Sequence, residues 1–226
     1  MHWSRRCSLL ICLALTLCTT AAAQISYPWI SEDSSGRATV AQEDGDTLDI
    51  ASPDGLTLWL DSCLRGTYTV SFRAQVLTGC DSCRLSDLNC FWAARDPEHP
   101  DDFFARSAWR QGWFDRYNTL CLFYVGFGGN ENTTTRFRRY HGDRYGKDDP
   151  RVKPLLQEYT DPDHLLRPSH WHEVCIHVGH DSTTYSVDGR QLFAHELKPG
   201  EGDGYFALRL WRNHIRVAGF RVTKDY

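Results

Sequence analysis

Apolar and polar residues alternate with a period of two along most of this chain, in short runs cut by turn residues. In "GTYTVSFRAQVL", Tyr68, Val70, Phe72 and Ala74 fall on one side. "TLDIASPDGLTLWL" alternates and breaks at Pro53-Asp54-Gly55. "DLNCFWAA" ends at Asp96-Pro97, and "TLCLFYVGFGG" ends in glycines. "TTTRFRRY", "WHEVCIHVG", "TTYSVDG", "RQLFAHEL" and "GYFALRLWRNHIRVAGFRVT" follow. A period of two sends successive side chains to opposite faces of an extended strand. Many such strands at short spacing predict an all-β sandwich or barrel. Two longer insertions interrupt them, Pro97 to Asn118 and Tyr145 to Ser169, the second with "KPLLQEY" as a candidate helical turn. Insertions this long usually carry function or move.

The first residues read differently. Arg5 and Arg6 precede an apolar run from Ser8 to Leu17, and Ala21-Ala22-Ala23 follows. The run is short for a bilayer span, and the small residues suit cleavage, so residues 1–23 are expected to be a signal peptide. Residues 24–226 then form one domain, secreted or periplasmic, with no membrane span in the mature chain. Cys18 offers a lipoprotein alternative, weakened by Leu17 before it. The whole chain has 25 Lys+Arg against 29 Asp+Glu, net −4. Without Arg5 and Arg6 the balance is 23 against 29, or −6. That argues against nucleic acid as a partner. Six cysteines remain in the mature part: Cys63, Cys80, Cys83, Cys90, Cys121 and Cys175. An even count in an exported chain suggests disulfides, with fifteen pairings open. Cys90 and Cys121 lie in apolar strands and also fit buried thiols.

The order of strands and turns in "HWHEVCIHVGHDSTTYSVDGRQLFAHEL" and "GDGYFALRLWRNHIRVAGFRV" resembles the closing half of a concanavalin A-like jelly roll, the lectin and glucanase sandwich. "GLTLWLDSCLRGTYTVSFRAQV" resembles its opening strands. "SDLNCFWAARDP" with "FYVGFGGNENTTTRFRRYHG" resembles an uncharacterised family of exported bacterial proteins. The resemblance implies a two-sheet antiparallel jelly-roll sandwich with a concave sheet that holds a glycan. It also makes a structural calcium a possibility, for which Asp44, Asp46, Asp161 and Asp163 are the acidic loop candidates. No catalytic metal or other cofactor is implied.

Strand parity sorts the residues for such a groove. Phe137 is the apolar member of its strand and marks the core face, so Arg136, Arg138 and Tyr140 point outward together. Asp87 and Asn89 share a parity opposite Leu88, Cys90 and Trp92. Phe123, Val125 and Phe127 read as core, which leaves Leu122, Tyr124 and Gly126 toward the groove. Gly126 and Gly128 would let a ligand approach the backbone. Arg209 and Trp211 share a parity near the end, with Trp211 as a sugar platform. Arg139 and His141 fall on the core side and require the strand to end there or to carry a bulge, since a buried unpaired Arg is costly. Trp59, Trp92 and Trp171 are assigned to packing or sheet edges.

These residues suit carbohydrate chemistry. Hydrolysis needs two carboxylates flanking the scissile bond, and no alternating Glu/Asp strand of that kind is present. Elimination on a uronic-acid polymer needs a cation or amide on the carboxylate and a Tyr or His to move protons. Arg136, Arg138, Tyr140 and His214 are the catalytic candidates, and Asp87, Asn89, Tyr124, Arg209 and Trp211 the substrate-binding ones. A lyase on an acidic glycan is the leading expectation. A non-catalytic glycan-binding domain and a glycoside hydrolase of the same fold are the alternatives. Ion pairing on an exposed sheet would also explain the Arg cluster. Asn132-Thr133-Thr134 matches a glycosylation sequon, but Asn130 and Asn132 are expected to serve the turn after Gly128-Gly129, where Asn tolerates left-handed backbone. A P-loop, a dinucleotide fingerprint, a Gly-x-Ser-x-Gly elbow and a His-Glu-x-x-His helix are absent.

Overall fold

The alternating segments become twelve antiparallel strands in a computed structural model that describes residues 27–43, 45–79, 83–147 and 149–224. The signal-like segment, Asp44 and Cys80 lie outside the described residues. The strands are β1 (Trp29–Asp33), β2 (Thr39–Gln42), β3 (Leu48–Leu60), β4 (Tyr68–Val76), β5 (Leu88–Arg95) and β6 (Cys121–Gly128). They continue with β7 (Thr134–Tyr140), β8 (Leu155–Tyr159), β9 (His172–Val178), β10 (Ser182–Val187), β11 (Arg190–Glu196) and β12 (Tyr205–Lys224).

Hydrogen-bonded neighbours run β11-β10-β9-β4-β12-β5-β6-β7-β8. The long β12 joins two layers. Its first half pairs with β5 and its second half with β4, while β3 pairs with it from Ala207 to Val217, across the change of partner. The pairing shifts register between Trp211 and Asn213, where Arg212 takes a φ of 50°. Such a bulge lets one strand bend from one layer into the other. The layers then face each other. Trp92 of β5 donates from Nε1 to Thr183 Oγ1 of β10 at 3.0 Å, and Phe137 of β7 stacks on Phe193 of β11 at 5.2 Å. This is a two-sheet antiparallel jelly-roll sandwich.

The core follows the alternation. Tyr68, Val70, Phe72 and Ala74 are buried together with Leu88, Cys90, Trp92, Phe123, Val125, Phe127 and Phe137. Trp59 is fully buried too, but in a second cluster with Phe91, Phe103, Tyr117, Leu122, Tyr124 and Tyr140. That cluster occupies the other face of β5, β6 and β7. It is covered by the insertion between β5 and β6, which holds helix α1 (Ser107–Arg110) and a short helical turn, Phe114–Thr119.

Two local expectations are corrected and one is met. "KPLLQEY" is no helical turn: Leu155–Tyr159 is β8, which pairs with β7 and satisfies that strand's outer edge. Arg139 is buried, and the expected irregularity is there: β7 ends one residue later and its pairing with β8 shifts register between Phe137 and Arg138. Its guanidinium reaches Glu201 at 3.4 Å and lies 4.2 Å from the Phe123 ring, which supplies the compensation a buried cation needs. Cys63, Cys90, Cys121 and Cys175 are free thiols, so no bridge joins those four.

Candidate functional site

The outward-facing residues of β5, β6, β7 and the first half of β12 form the floor of a groove of about 970 Å³. Asp87, Asn89, Tyr124, Arg136, Arg138, Tyr140, Arg209 and Trp211 all line it. His214 does not. It follows the β12 bulge, on the half of the strand that has passed to the other layer, and its Nε2 lies 2.6 Å from Asp49 Oδ1. His141 is also outside the groove, and among the described residues no histidine lines it. Six cations line it (Arg84, Arg116, Arg136, Arg138, Lys153, Arg209) against four carboxylates (Asp54, Asp87, Asp115, Glu131). The groove is thus locally positive on a net negative chain.

Arg209 lies at the groove's base. Its register partners are Asn89 on β5 and Thr57 on β3. It is only 3 % exposed, makes no ion pair, and its Nη1 has no hydrogen-bond acceptor. Its surroundings are aromatic: the guanidinium is 5.5 Å from the Phe114 ring and 5.8 Å from that of Tyr117. Burial pulls its pKa down, and the nearby phenols and Asp87 oppose that only in part. Two other lining residues have an idle buried atom. Asn89 Oδ1 has no donor, although its Nδ2 reaches Asp87 Oδ1 at 3.3 Å. The Tyr140 hydroxyl is fully buried without a partner. A donor cation, an acceptor and a hydroxyl, all unsatisfied, face one cavity. Buried polar groups are normally satisfied, so their convergence marks a place made for a polar guest.

Tyr124 occupies the middle of the floor. Its phenol folds back over Gly126, which has no side chain to displace it. Gly126 lines the groove, with the Tyr124 phenol over the place a side chain there would take. Burial raises the pKa of Tyr124 and of Tyr140 well above the ordinary phenol value, with Arg138 and Arg209 opposing. Both phenols keep their protons at neutral pH. As neutral phenols they can donate a hydrogen bond.

The remaining cations differ in how free they are. Arg136 Nε pairs with Glu158 Oε1 of β8 at 2.5 Å. Arg138 donates from Nη1 to the Lys153 carbonyl at 2.9 Å and has no acidic partner. Trp211 is not a bare platform. The guanidiniums of Arg84 and Arg212 lie 4.6 and 4.9 Å from its ring, and its Nε1 donates to Asp54 Oδ1 at 3.2 Å. Arg84 in turn grips Glu131 through Nε at 2.9 Å and donates to the Trp211 carbonyl at 2.8 Å.

Glu131 is presented by an unusual turn. Gly128, Asn130, Glu131 and Asn132 all have φ between 51° and 68°, a left-handed run that non-glycine residues resist. Asn132 holds it: its Nδ2 donates to the Leu166 carbonyl and its Oδ1 accepts from the Leu166 N–H, each at 2.9 Å. The sequon asparagine thus has its amide committed to the backbone. Strain of this kind gathers at functional sites and is sustained by the packing around it.

Sequence reasoning did not place Trp113, Phe114, Asp115, Arg116, Lys153 or Arg84, which supply the groove's walls. The signal available in the sequence was coarse, the aromatic content of the β5–β6 insertion, and only the structure shows Trp113 49 % exposed where a packing tryptophan would be covered. The insertion is anchored from below. Arg110 and Glu32 are both fully enclosed, 2.8 Å apart, and Tyr117 donates to the same carboxylate at 2.6 Å.

Asp44 lies outside the described residues, and Asp46, Asp161 and Asp163 are not among the metal-ligating groups that cluster in the described part. Asp161 accepts from His164 at 2.6 Å. The three-ligand cluster found among the described residues is instead His170, His172 and Asp188. There His172 Nε2 accepts the Arg167 N–H at 3.2 Å, so Nδ1 carries the proton given to Asp188 at 3.0 Å. Arg167 also reaches Asp188 at 2.9 Å. With both ring nitrogens engaged and a guanidinium in place, the cluster is a hydrogen-bond network rather than a metal centre. No helix of the described residues is long and apolar enough to cross a membrane.

The profile of the family described as Domain of unknown function (DUF6250) matches residues 50–220. No curated protein matches the sequence. Among solved structures, a Bacillus subtilis protein of unknown function with a galectin-like fold aligns at a TM-score of 0.67 and 14 % identity, covering 87 % of this chain and 89 % of that one. The carbohydrate-binding module CBM66 from Bacillus subtilis aligns at 0.54 and 10 %, covering 87 % and 95 %. A Bacillus licheniformis β-glucanase aligns at 0.53 and 11 %, covering 88 % and 92 %. These likenesses establish the fold.

Proposed function

This chain belongs to the DUF6250 family, and from that premise we propose that its groove binds an acidic glycan, with a uronate carboxylate seated on Arg209. The observation that carries this reading is a guanidinium buried in the floor with no anion of its own. An uncompensated buried charge is costly, and a carboxylate arriving with the ligand offsets that cost through a charge-assisted hydrogen bond. The ring hydroxyls of the same sugar match the idle Asn89 Oδ1 and Tyr140 hydroxyl. Trp113 and Phe114 offer aromatic faces to its C–H surface. The fold is shared with a carbohydrate-binding module and a glucanase, which supports a sugar ligand. The signal-like first residues support export, so the glycan is met outside the cytoplasm.

A second reading, elimination on the bound uronate, is favoured by Tyr124. A cation on the carboxylate acidifies the neighbouring carbon, and a phenol that holds its proton donates to the leaving oxygen. With no histidine lining the groove, the base falls to a carboxylate. Asp87 is the candidate, next to Asn89 on the floor and held by Arg84 at 3.2 Å and Ser86 at 3.0 Å.

The test is a panel of polyuronates and neutral polysaccharides titrated into the purified protein, read for binding and for the ultraviolet absorbance of an unsaturated product. Acidic glycans bind and neutral ones do not. Product absorbance selects elimination, and binding without product selects the binding domain. Equal binding of neutral glycans, or unchanged binding by Arg209→Ala, would overturn the proposal.

A further inference from the structure

We infer that the groove is a dead end that receives the terminus of an acidic glycan chain and not its interior. This deepens the reading above and rests on it. In a sandwich of this kind a ligand that crosses the strands needs both sides of the concave sheet open. Here one side is shut by backbone. A Cβ on Gly55 would lie 2.3 Å from the Gly112 carbonyl oxygen, and one on Gly112 would lie 2.3 Å from that of Gly55. The β5–β6 insertion is therefore seated directly on β3, with no side chain between them to swing aside. Arg110 and Glu32 hold it from beneath, and the buried cluster around Trp59 fills the space that a through-going groove would use.

The two strand ends are fenced as well. Arg84 and Glu131 join the loop before β5 to the left-handed β6–β7 turn. At the opposite end the two insertions meet: Lys153 Nζ lies 3.8 Å from Asp115 Oδ1 and 5.7 Å from the Phe114 ring. What stays open is the side toward β8. Four strands about 4.8 Å apart give a floor about 14 Å wide, enough for a short run of sugar units. Arg209, on the strand nearest the closed side, then meets the last unit, and Arg138 meets a unit nearer the mouth.

The probes are oligogalacturonates and oligoalginates of increasing length together with their parent polymers, titrated calorimetrically into the purified protein at known chain-end concentration. One protein per chain end, at an affinity that stops rising within a few units, is the expected result. Modifying one terminus, by reduction at the reducing end or by capping the other, abolishes binding, while modifying the opposite terminus leaves it intact. Stoichiometry that grows with polymer length, or indifference to both modifications, overturns the dead end and leaves the acidic-glycan reading standing. Failure of every uronate probe to bind overturns both.

Discussion

The Tyr124 hydroxyl lies 2.5 Å from the point where a Cβ on Gly126 would stand. The phenol and the missing side chain are therefore one arrangement: the glycine is the seat of the ring. Gly126→Ala forces the phenol upward into the groove, and overpacking of this kind costs about 1–3 kcal/mol. Reduced glycan affinity with a folded sandwich is the expected outcome, read by calorimetry and circular dichroism. Gly129→Ala is the control, because its added methyl meets nothing nearer than 3.5 Å. Equal behaviour of the two variants would remove Tyr124 from the site.

Arg209 sets stability against binding. Arg209→Met keeps the length of the side chain and removes the unpaired charge, so the protein gains stability, about 1–4 kcal/mol by analogy with buried-charge replacements. The same variant loses the acidic ligand. Urea denaturation and calorimetry on one sample check both. Loss of stability would mean that Arg209 has a structural partner.

The two arginines of β7 are expected to behave differently. Arg136 is paired with Glu158 at a partly exposed position, where such a pair contributes about 0–1 kcal/mol. Arg138 has only a carbonyl partner. Arg138→Ala weakens binding about tenfold, near the ~1.4 kcal/mol of one charged hydrogen bond, and Arg136→Ala weakens it less. A reversed order in measured dissociation constants would place the ligand nearer the β8 edge.

Asn132→Ala removes two hydrogen bonds to Leu166 and releases the left-handed turn. A loss of about 1–3 kcal/mol in urea denaturation follows, together with weaker binding as Glu131 leaves Arg84. Unchanged stability would show that the turn holds itself.

Acid weakens the fold in the range where histidines titrate. Burial lowers the pKa of His172, His195 and His141 below the ordinary 6.5. A histidine with a folded value below its unfolded one takes its proton more readily in the unfolded chain. Stability is thus complete above about pH 6.5 and declines as pH falls through the folded values. Urea midpoints measured from pH 8 to pH 5 check this, and a flat profile would contradict it.

Much of the floor was legible because strand parity is local. Phe137 identified the core face of β7, and that alone carried Arg136, Arg138 and Tyr140 to the opposite side. The same step worked for Asn89 against Cys90 and for Tyr124 against Val125. His214 was chosen for its chemistry and not by parity, and the bulge at Arg212 carries its half of β12 into the other layer. Parity also brought Trp211 to the groove beside Arg209, but it gives a direction and not which guanidiniums approach the ring.

The alternation of apolar side chains by itself determined an all-β sandwich or barrel, much of its core and the face of residues on unbroken strands, since those follow from the pleat of a single strand. Only the tertiary structure decided that Arg209 lacks a counter-ion, that Gly112 rests on Gly55, and that Lys153 meets Asp115. Each of these depends on which distant segments come together. Pairing, closure and desolvation are properties of several strands and loops at once, and no run of residues along the chain encodes them alone.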